Sequence, residues 1–148
     1  ITTTLPISGT VVLQNLLPSP NGQQVAIEVR NVGSGTALDT QNATLDGSGA
    51  YSVNLAVAAG TYDLYAKGSH WLRKKIGSVS VSGSGASNVN FTLVNGDIDG
   101  NNMIDSDDFD LLVANFGGSG QGDLDENGSV DSDDFDILVA AFGQFGDN

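Results

Sequence analysis

Between Ile7 and Leu93 apolar and polar residues alternate in short runs, the two-residue period of a strand with one buried face and one wet face. Val25, Ile27 and Val29 alternate with Ala26, Glu28 and Arg30, and Tyr51, Val53 and Leu55 alternate with Ser52 and Asn54. Tyr62, Leu64 and Ala66 alternate with Asp63 and Tyr65, and Val89, Phe91 and Leu93 close the series. Further strands are expected near Gly9–Leu16, Thr36–Thr44 and Ile76–Val81. Turn sequences separate the runs: Asp46-Gly47-Ser48-Gly49 between two of them, and a longer loop at Leu17-Pro18-Ser19-Pro20-Asn21-Gly22. About seven short antiparallel strands in ~90 residues predict a β-sandwich.

Past Asn95 the pattern changes. Asp97–Asp108 recurs as Asp123–Asp134, and each copy continues into an apolar periodic segment. Phe109, Leu112, Val113 and Phe116 stand at i, i+3, i+4 and i+7, and so do Phe135, Leu138, Val139 and Phe142. That spacing predicts two helices whose apolar stripes pack on each other. Gly117 and Gly143 suit the position just past a helix end, and Asp108 and Asp134 are expected at the helix starts, where carboxylates favour the dipole.

Charge divides the chain at the same place. All five basic residues (Arg30, Lys67, Arg73, Lys74 and Lys75) precede residue 95, with only Glu28, Asp39, Asp46 and Asp63 opposing them. The remaining 14 of the 18 acidic residues follow, unaccompanied by any cation. Two domains are therefore expected, 1–94 and 95–148. The net charge of −13 argues against a nucleic-acid partner, and no apolar run approaches the ~20 residues of a membrane span. With no Cys and one His, thiolate and imidazole metal sites are disfavoured. The chain opens at Ile1 without Met, as expected of a mature product or an excised fragment.

The repeated segments have the ligand pattern of a calcium loop, which gathers six to eight oxygens from positions 1, 3, 5, 7, 9 and 12. In the first copy these are Asp97, Asp99, Asn101, the Met103 carbonyl, Asp105 and Asp108; in the second, Asp123, Asp125, Asn127, the Ser129 carbonyl, Asp131 and Asp134. Position 6 needs a sharp turn, which Gly128 suits best and Asn102 next best. Position 8 is apolar in both copies, Ile104 and Val130, as if the two loops paired through a short β contact. Two calcium ions are expected. Carboxylate number and loop flexibility disfavour magnesium. The four ligand carboxylates of each loop repel one another without an ion, so binding is expected to contribute folding energy.

Duplicated loop-plus-exiting-helix units, with Asp at position 12 and no helix entering the first loop, resemble dockerins more than EF-hand pairs. Dockerins are the modules that plug secreted bacterial proteins into cohesin-bearing scaffolds. Gly49-Ala50-Tyr51-Ser52-Val53 and Ala59-Gly60-Thr61-Tyr62-Asp63-Leu64 resemble the immunoglobulin-like or prealbumin-like modules related to carboxypeptidase regulatory domains. A sandwich running straight into a dockerin is similar to the X-module–dockerin tandem of cellulosomal scaffolds. The resemblance implies a cohesin-like partner met by Ser106, Asp107, Ser132 and Asp133, with apolar contact from Val113, Ala114, Val139 and Ala140. It also implies a bacterial extracellular or cell-surface setting, a polysaccharide context and a larger parent polypeptide. The connector Gly118-Ser119-Gly120-Gln121 is shorter than the dockerin pattern, which usually has another helical turn there.

The expected function is a non-catalytic, calcium-dependent interaction module. The alternatives are a calcium-stabilised structural domain without a partner and a carbohydrate-binding accessory module. The last would use Trp71 with Tyr62 or Tyr65 as a platform; the competing expectation packs Trp71 and Leu72 at the junction, with Arg73, Lys74 and Lys75 solvated or facing the acidic half. An enzyme is not expected, because the paired carboxylates are already needed as metal ligands.

Overall fold

The computed structural model describes residues 3–148; Ile1 and Thr2, the start of the first expected domain, lie outside the described residues. In chain order come β1 (Leu5–Leu13), β2 (Gln24–Asn31), β3 (Ala37–Thr44), β4 (Ala50–Leu55), β5 (Gly60–Lys67), β6 (Lys74–Val81), β7 (Phe91–Leu93), α1 (Ser106–Asn115) and α2 (Ser132–Ala141). The strands make two sheets, ordered β4-β1-β7 and β3-β2-β5-β6. Ile7, Leu55 and Leu93 from the first sheet meet Ile27, Val29 and Leu64 from the second in one fully buried core. This is a β-sandwich. The alternation that predicted it is visible in β4, where Tyr51, Val53 and Leu55 are buried and Ser52 and Asn54 exposed.

Three expectations about the strands need correction. First, β1 begins at Leu5, four residues before Gly9. Pro6 reads as a strand breaker, but its carbonyl accepts from Ala86 N (3.0 Å) while Leu5 and Ile7 fill the core. Second, β7 runs parallel to β1, not antiparallel. It arrives by a crossover from the other sheet, so no hairpin dictates its direction. The crossover hugs β1 so closely that a Cβ on Gly9 would stand 2.0 Å from Val89 O. Third, the outward residues of β5 are not wet: Asp63 and Tyr65 are buried. Arg30 lies over the Tyr65 ring, 4.2 Å from its centroid, and Lys75 covers Asp63.

Asp63 on β5 ties together β6 and the turn between β2 and β3. Its carboxylate accepts from Gly33 N and Ser78 N (both 3.0 Å) and pairs with Lys75 Nζ at 2.9 Å. The two backbone bonds, then the lysine, pull its pKa down to about 2.

A second, smaller core lies beyond Asn95: Ile98, Ile104, Leu112, Leu124, Val130, Leu138 and Ala141, joined by Leu72 from the sandwich. The junction is dense. Asn95, 1% exposed, donates from Nδ2 to Gln14 O (3.1 Å) and Leu124 O (2.7 Å), while its Oδ1 meets His70 Nδ1 at 2.8 Å. Trp71 is buried beneath His70, ring centroids 3.7 Å apart, and its indole N–H donates to Gln14 O. Of the basic run, Arg73 donates its backbone N–H to Asn102, Lys74 reaches Asp147 at 3.8 Å, and Lys75 turns back to Asp63 within the sandwich. Only part of that run therefore faces the acidic half.

Since Asp63 titrates well below the ordinary carboxylate value of 3.8, it stabilises the fold above about pH 4, and that contribution fades as pH falls toward 2. Asp63→Asn should therefore be less stable than wild type at pH 7 in urea unfolding, with the gap closing below pH ~3. A gap that stays constant with pH would contradict this role.

Candidate metal centre

Each loop is built by the same local chemistry, 26 residues apart. The helices begin later than the loops but earlier than expected: Asp105 and Asp131 are the N-caps, and Ser106 and Ser132 are the first helical residues. Asp105 Oδ1 accepts from Asp107 N and Asp131 Oδ1 from Asp133 N, both at 2.9 Å. In return Asp108 and Asp134, at the third helical position, accept from the N-cap backbone at 2.9 and 2.8 Å. This reciprocal capping box places the position-12 carboxylates inside the loops rather than at the helix tips.

There they are buried. Asp108 Oδ1 accepts from Asp99 N (3.1 Å), and Asp134 Oδ1 accepts from Leu124 N and Asp125 N (2.6 and 3.2 Å). Position 1 is fixed by the far side of the loop: Asp97 Oδ2 accepts from Asn102 N (3.0 Å) and Asp123 Oδ2 from Gly128 N (2.9 Å). Carboxylate oxygens of Asp97, Asp99 and Asp108 thus lie within 4.8 Å of one another, and so do those of Asp123, Asp125 and Asp134. Asn101 and Asn127 stand beside them, each donating to the position-3 carboxylate at 3.0 and 3.1 Å. No hydrogen bond among the described residues reaches the carbonyls of Met103 or Ser129. Asp105 and Asp131 are outside both clusters, held instead in their capping role.

Backbone conformation makes the cradle possible. Positions 4 and 6 of both loops are left-handed: Gly100 (φ +77°) and Asn102 (+72°), Glu126 (+58°) and Gly128 (+98°). The sequence points to position 6; position 4 is occupied by Glu in the second copy, which gives no such signal.

Burial weighs on the charges. Desolvation, and after it neighbouring carboxylates, raise the pKa of Asp108 and Asp125 despite the N–H groups they accept. The chemistry of the donor set fits a hard, oxygen-seeking cation. One atom makes the fit specific: Asp97 Oδ1 is buried, accepts no hydrogen bond among the described residues, and belongs to a residue that is 0% exposed. A buried carboxylate oxygen without a partner is costly, and a cation between Asp97, Asp99 and Asp108 would satisfy it.

The position-8 residues do not pair with each other as expected. Each pairs with the segment leaving the other repeat's helix: Ile104 exchanges bonds with Gly143 N and Gln144 O, and Val130 with Gly117 N and Gly118 (N to O, 2.9 Å). The swap explains why Gly117 (φ +84°) and Gly143 (+86°) follow the helices, since a left-handed residue turns the chain back onto the opposite loop. The helix stripes also differ from expectation. Leu112 and Leu138 are fully buried, but Val113, Phe116, Val139 and Phe142 are each more than half exposed. Phe109 and Phe135 touch edge-on at 6.0 Å. The second core is too small to take both stripes, so Leu112 and Leu138 fill it and the outer rows remain in water.

All eight residues expected at a partner surface (Ser106, Asp107, Val113, Ala114, Ser132, Asp133, Val139 and Ala140) are exposed. The phenylalanines beside them were expected inside. Trp71 and Tyr65 are buried and Tyr62 is half-buried with its hydroxyl on Ala58 O, so the three do not form an open platform. The sequence also gave no pointer to Lys67, whose Nζ reaches Asp97 Oδ2 at 2.7 Å from 30 residues away.

No protein-family model and no curated protein matches the chain. Two solved structures resemble it over nearly its whole length. One is an N-terminal interface mutant of a type II cohesin–X-dockerin complex from Acetivibrio cellulolyticus, with a TM-score of 0.70 and 22% identity, covering 96% of this chain and 97% of that one. The other is a C-terminal interface mutant of the type II complex from the same organism, with a TM-score of 0.69, 23% identity and the same coverages. At that identity the likeness establishes a shared fold, spanning both the sandwich and the helix pair.

The left-handed turn at position 6 can be tested by itself. No atom lies within 4 Å of a Cβ built on Gly128, so the added carbon has open space and Gly128→Val should lose ~1–2 kcal/mol chiefly through backbone conformation. Gly128→Asn, which copies Asn102 of the first loop, should recover most of that loss in denaturant unfolding with excess calcium. Equal destabilisation by Val and Asn would contradict this account.

Proposed function

We propose that residues 97–142 form a calcium-dependent docking module for a cohesin-type protein partner, with the sandwich as its stabilising support. The observation that carries the reading is the buried Asp97 Oδ1, without a hydrogen bond among the described residues, on a carboxylate that clusters with those of Asp99 and Asp108 in a cradle that the second loop repeats. Asp97, Asp99, Asn101, Asp108 and the Met103 carbonyl would hold the first ion, and Asp123, Asp125, Asn127, Asp134 and the Ser129 carbonyl the second. Asp105 and Asp131 cap the helices and would reach an ion through water. A bound ion supplies charge neutralisation. The residues supply the rest: a capping box that starts each helix at its loop, and a β swap that locks each loop to the other helix's exit.

The docking face is the outer side of α1 and α2. Phe109, Val113 and Phe116 form one row by helical spacing, and Phe135, Val139 and Phe142 the matching row. Ser106, Asp107 and Ala114, with Ser132, Asp133 and Ala140, flank them. Two equivalent exposed apolar rows in a chain of net charge −13 mark an interaction surface. Both structural neighbours are type II cohesin–X-dockerin complexes, which supports a cohesin as the class of partner. The role is non-catalytic, and the setting is an extracellular bacterial assembly acting on polysaccharide.

Chelator should lower the melting temperature and the helical signal, and excess calcium should restore both; at ~1,000 times its Kd, one ion stabilises by ~4 kcal/mol. An unchanged melting temperature would refute calcium. For the partner, a type II cohesin domain should bind wild type in calcium, and Val113→Asp with Val139→Asp should weaken capture at least ~100-fold, the loss of an apolar contact centre. Because both valines are exposed, calcium affinity should not change. Calcium binding without capture of any cohesin would leave a structural domain in place of a docking module.

A further inference from the structure

The two loops match in sequence but not in surroundings. Lys67 closes β5, and its Nζ donates to Gly68 O (2.9 Å), Trp71 O (2.7 Å) and Asp97 Oδ2 (2.7 Å), which uses all three of its protons. The lysine side chain is 17% exposed and the Asp97 side chain 0%, so salt screens this pair far less than a surface pair. The ammonium takes Oδ2, the oxygen already shared with Asn102 N, and leaves the buried Oδ1 without a hydrogen bond among the described residues, on a carboxylate that clusters with Asp99 and Asp108. Lysine and an ion in the cradle would therefore use different oxygens of one carboxylate.

Among the described residues, no lysine or arginine pairs with the second loop in this way. Asp123 Oδ1 and Oδ2 accept from Asn127 N and Gly128 N of its own loop. The sandwich touches that loop elsewhere: Asn95 on Leu124 O, Leu17 N on Asp125 O, and His70 and Gln23 on the carboxylate of Glu126. Glu126 adds a sixth negative charge to the five aspartates of the second loop, whereas Lys67 offsets one of the five in the first. Like charges held a few ångströms apart at low dielectric disfavour the folded loop, and this burden falls unequally.

We propose that Lys67 is a resident counter-ion that keeps the first loop folded without calcium, so that calcium-dependent folding belongs to the second loop. The proposal rests on the calcium reading above. Lys67 acts as a positioning residue: it holds Asp97 by Oδ2, leaving Oδ1 for an ion, and joins the first site to the end of β5. The sandwich thereby supplies one part of a metal site whose ligands all lie outside it.

Amide hydrogen exchange on the whole chain, with calcium and with chelator, tests this loop by loop. In calcium both loops should be protected. In chelator, amides 125–130 should lose protection while amides 99–104 keep theirs. Lys67→Met in chelator should then deprotect 99–104 by about tenfold or more, the loss expected for one charge-assisted hydrogen bond. Lys67→Gln, which retains a donor without the charge, should do the same. Both variants are judged only if their calcium-loaded spectrum matches wild type, and the wild-type comparison of the two loops needs no variant. Calcium binding with equal loss of protection in both wild-type loops would overturn this proposal alone, as would Lys67 variants that leave 99–104 unchanged. No calcium binding to either loop would overturn the calcium reading and this proposal together.

Discussion

Repulsion among carboxylates is the constraint on which the C-terminal half is built. Each twelve-residue loop carries five aspartates, and three of them in each bring oxygens within 4.8 Å of one another. Such a cluster persists only where donors converge on it. Backbone N–H groups of the loops supply most of them, made available by left-handed residues at positions 4 and 6 and by the capping boxes. The helices, the β swap and the small second core follow from these loop closures. With so few buried apolar residues, that core would not hold the helices by burial alone.

The sandwich compensates for that small core. Leu72 packs into it, Asn95 bonds to both halves, and His70 stacks on Trp71 while meeting Asn95 and Glu126. The C-terminal segment closes the far side: Asp147 accepts from Lys75 N and donates to Arg73 O, and Phe145 bridges Met103. The junction is thus made of buried backbone and amide contacts. The surface pair Lys74–Asp147 adds little, since exposed ion pairs contribute ~0–1 kcal/mol.

The helix pair shows how a small core divides an amphipathic pattern. Both stripes read as buried, but only Leu112 and Leu138 have room inside. The displaced residues line up symmetrically outside. A residue spared from the core by geometry becomes available for a partner, and the rule that apolar spacing means burial fails for that reason.

Strand number, the sandwich, the two loops and their exiting helices were all legible in the sequence, because each rests on short-range regularity: period two, period 3.6, and ligand residues at fixed offsets. The carboxylate cradles were legible too, since carboxylates at fixed offsets within one twelve-residue loop are brought together by local backbone geometry. Only the tertiary structure decided the parallel course of β7, the burial of Asp63 and Tyr65, the exposed phenylalanines and the exchange of Ile104 and Val130 between helix exits. Each of these depends on what lies opposite a residue in space. Lys67 beside Asp97 is the clearest case: no local pattern connects a strand-end lysine to a loop 30 residues on, and only the packing of the two halves does.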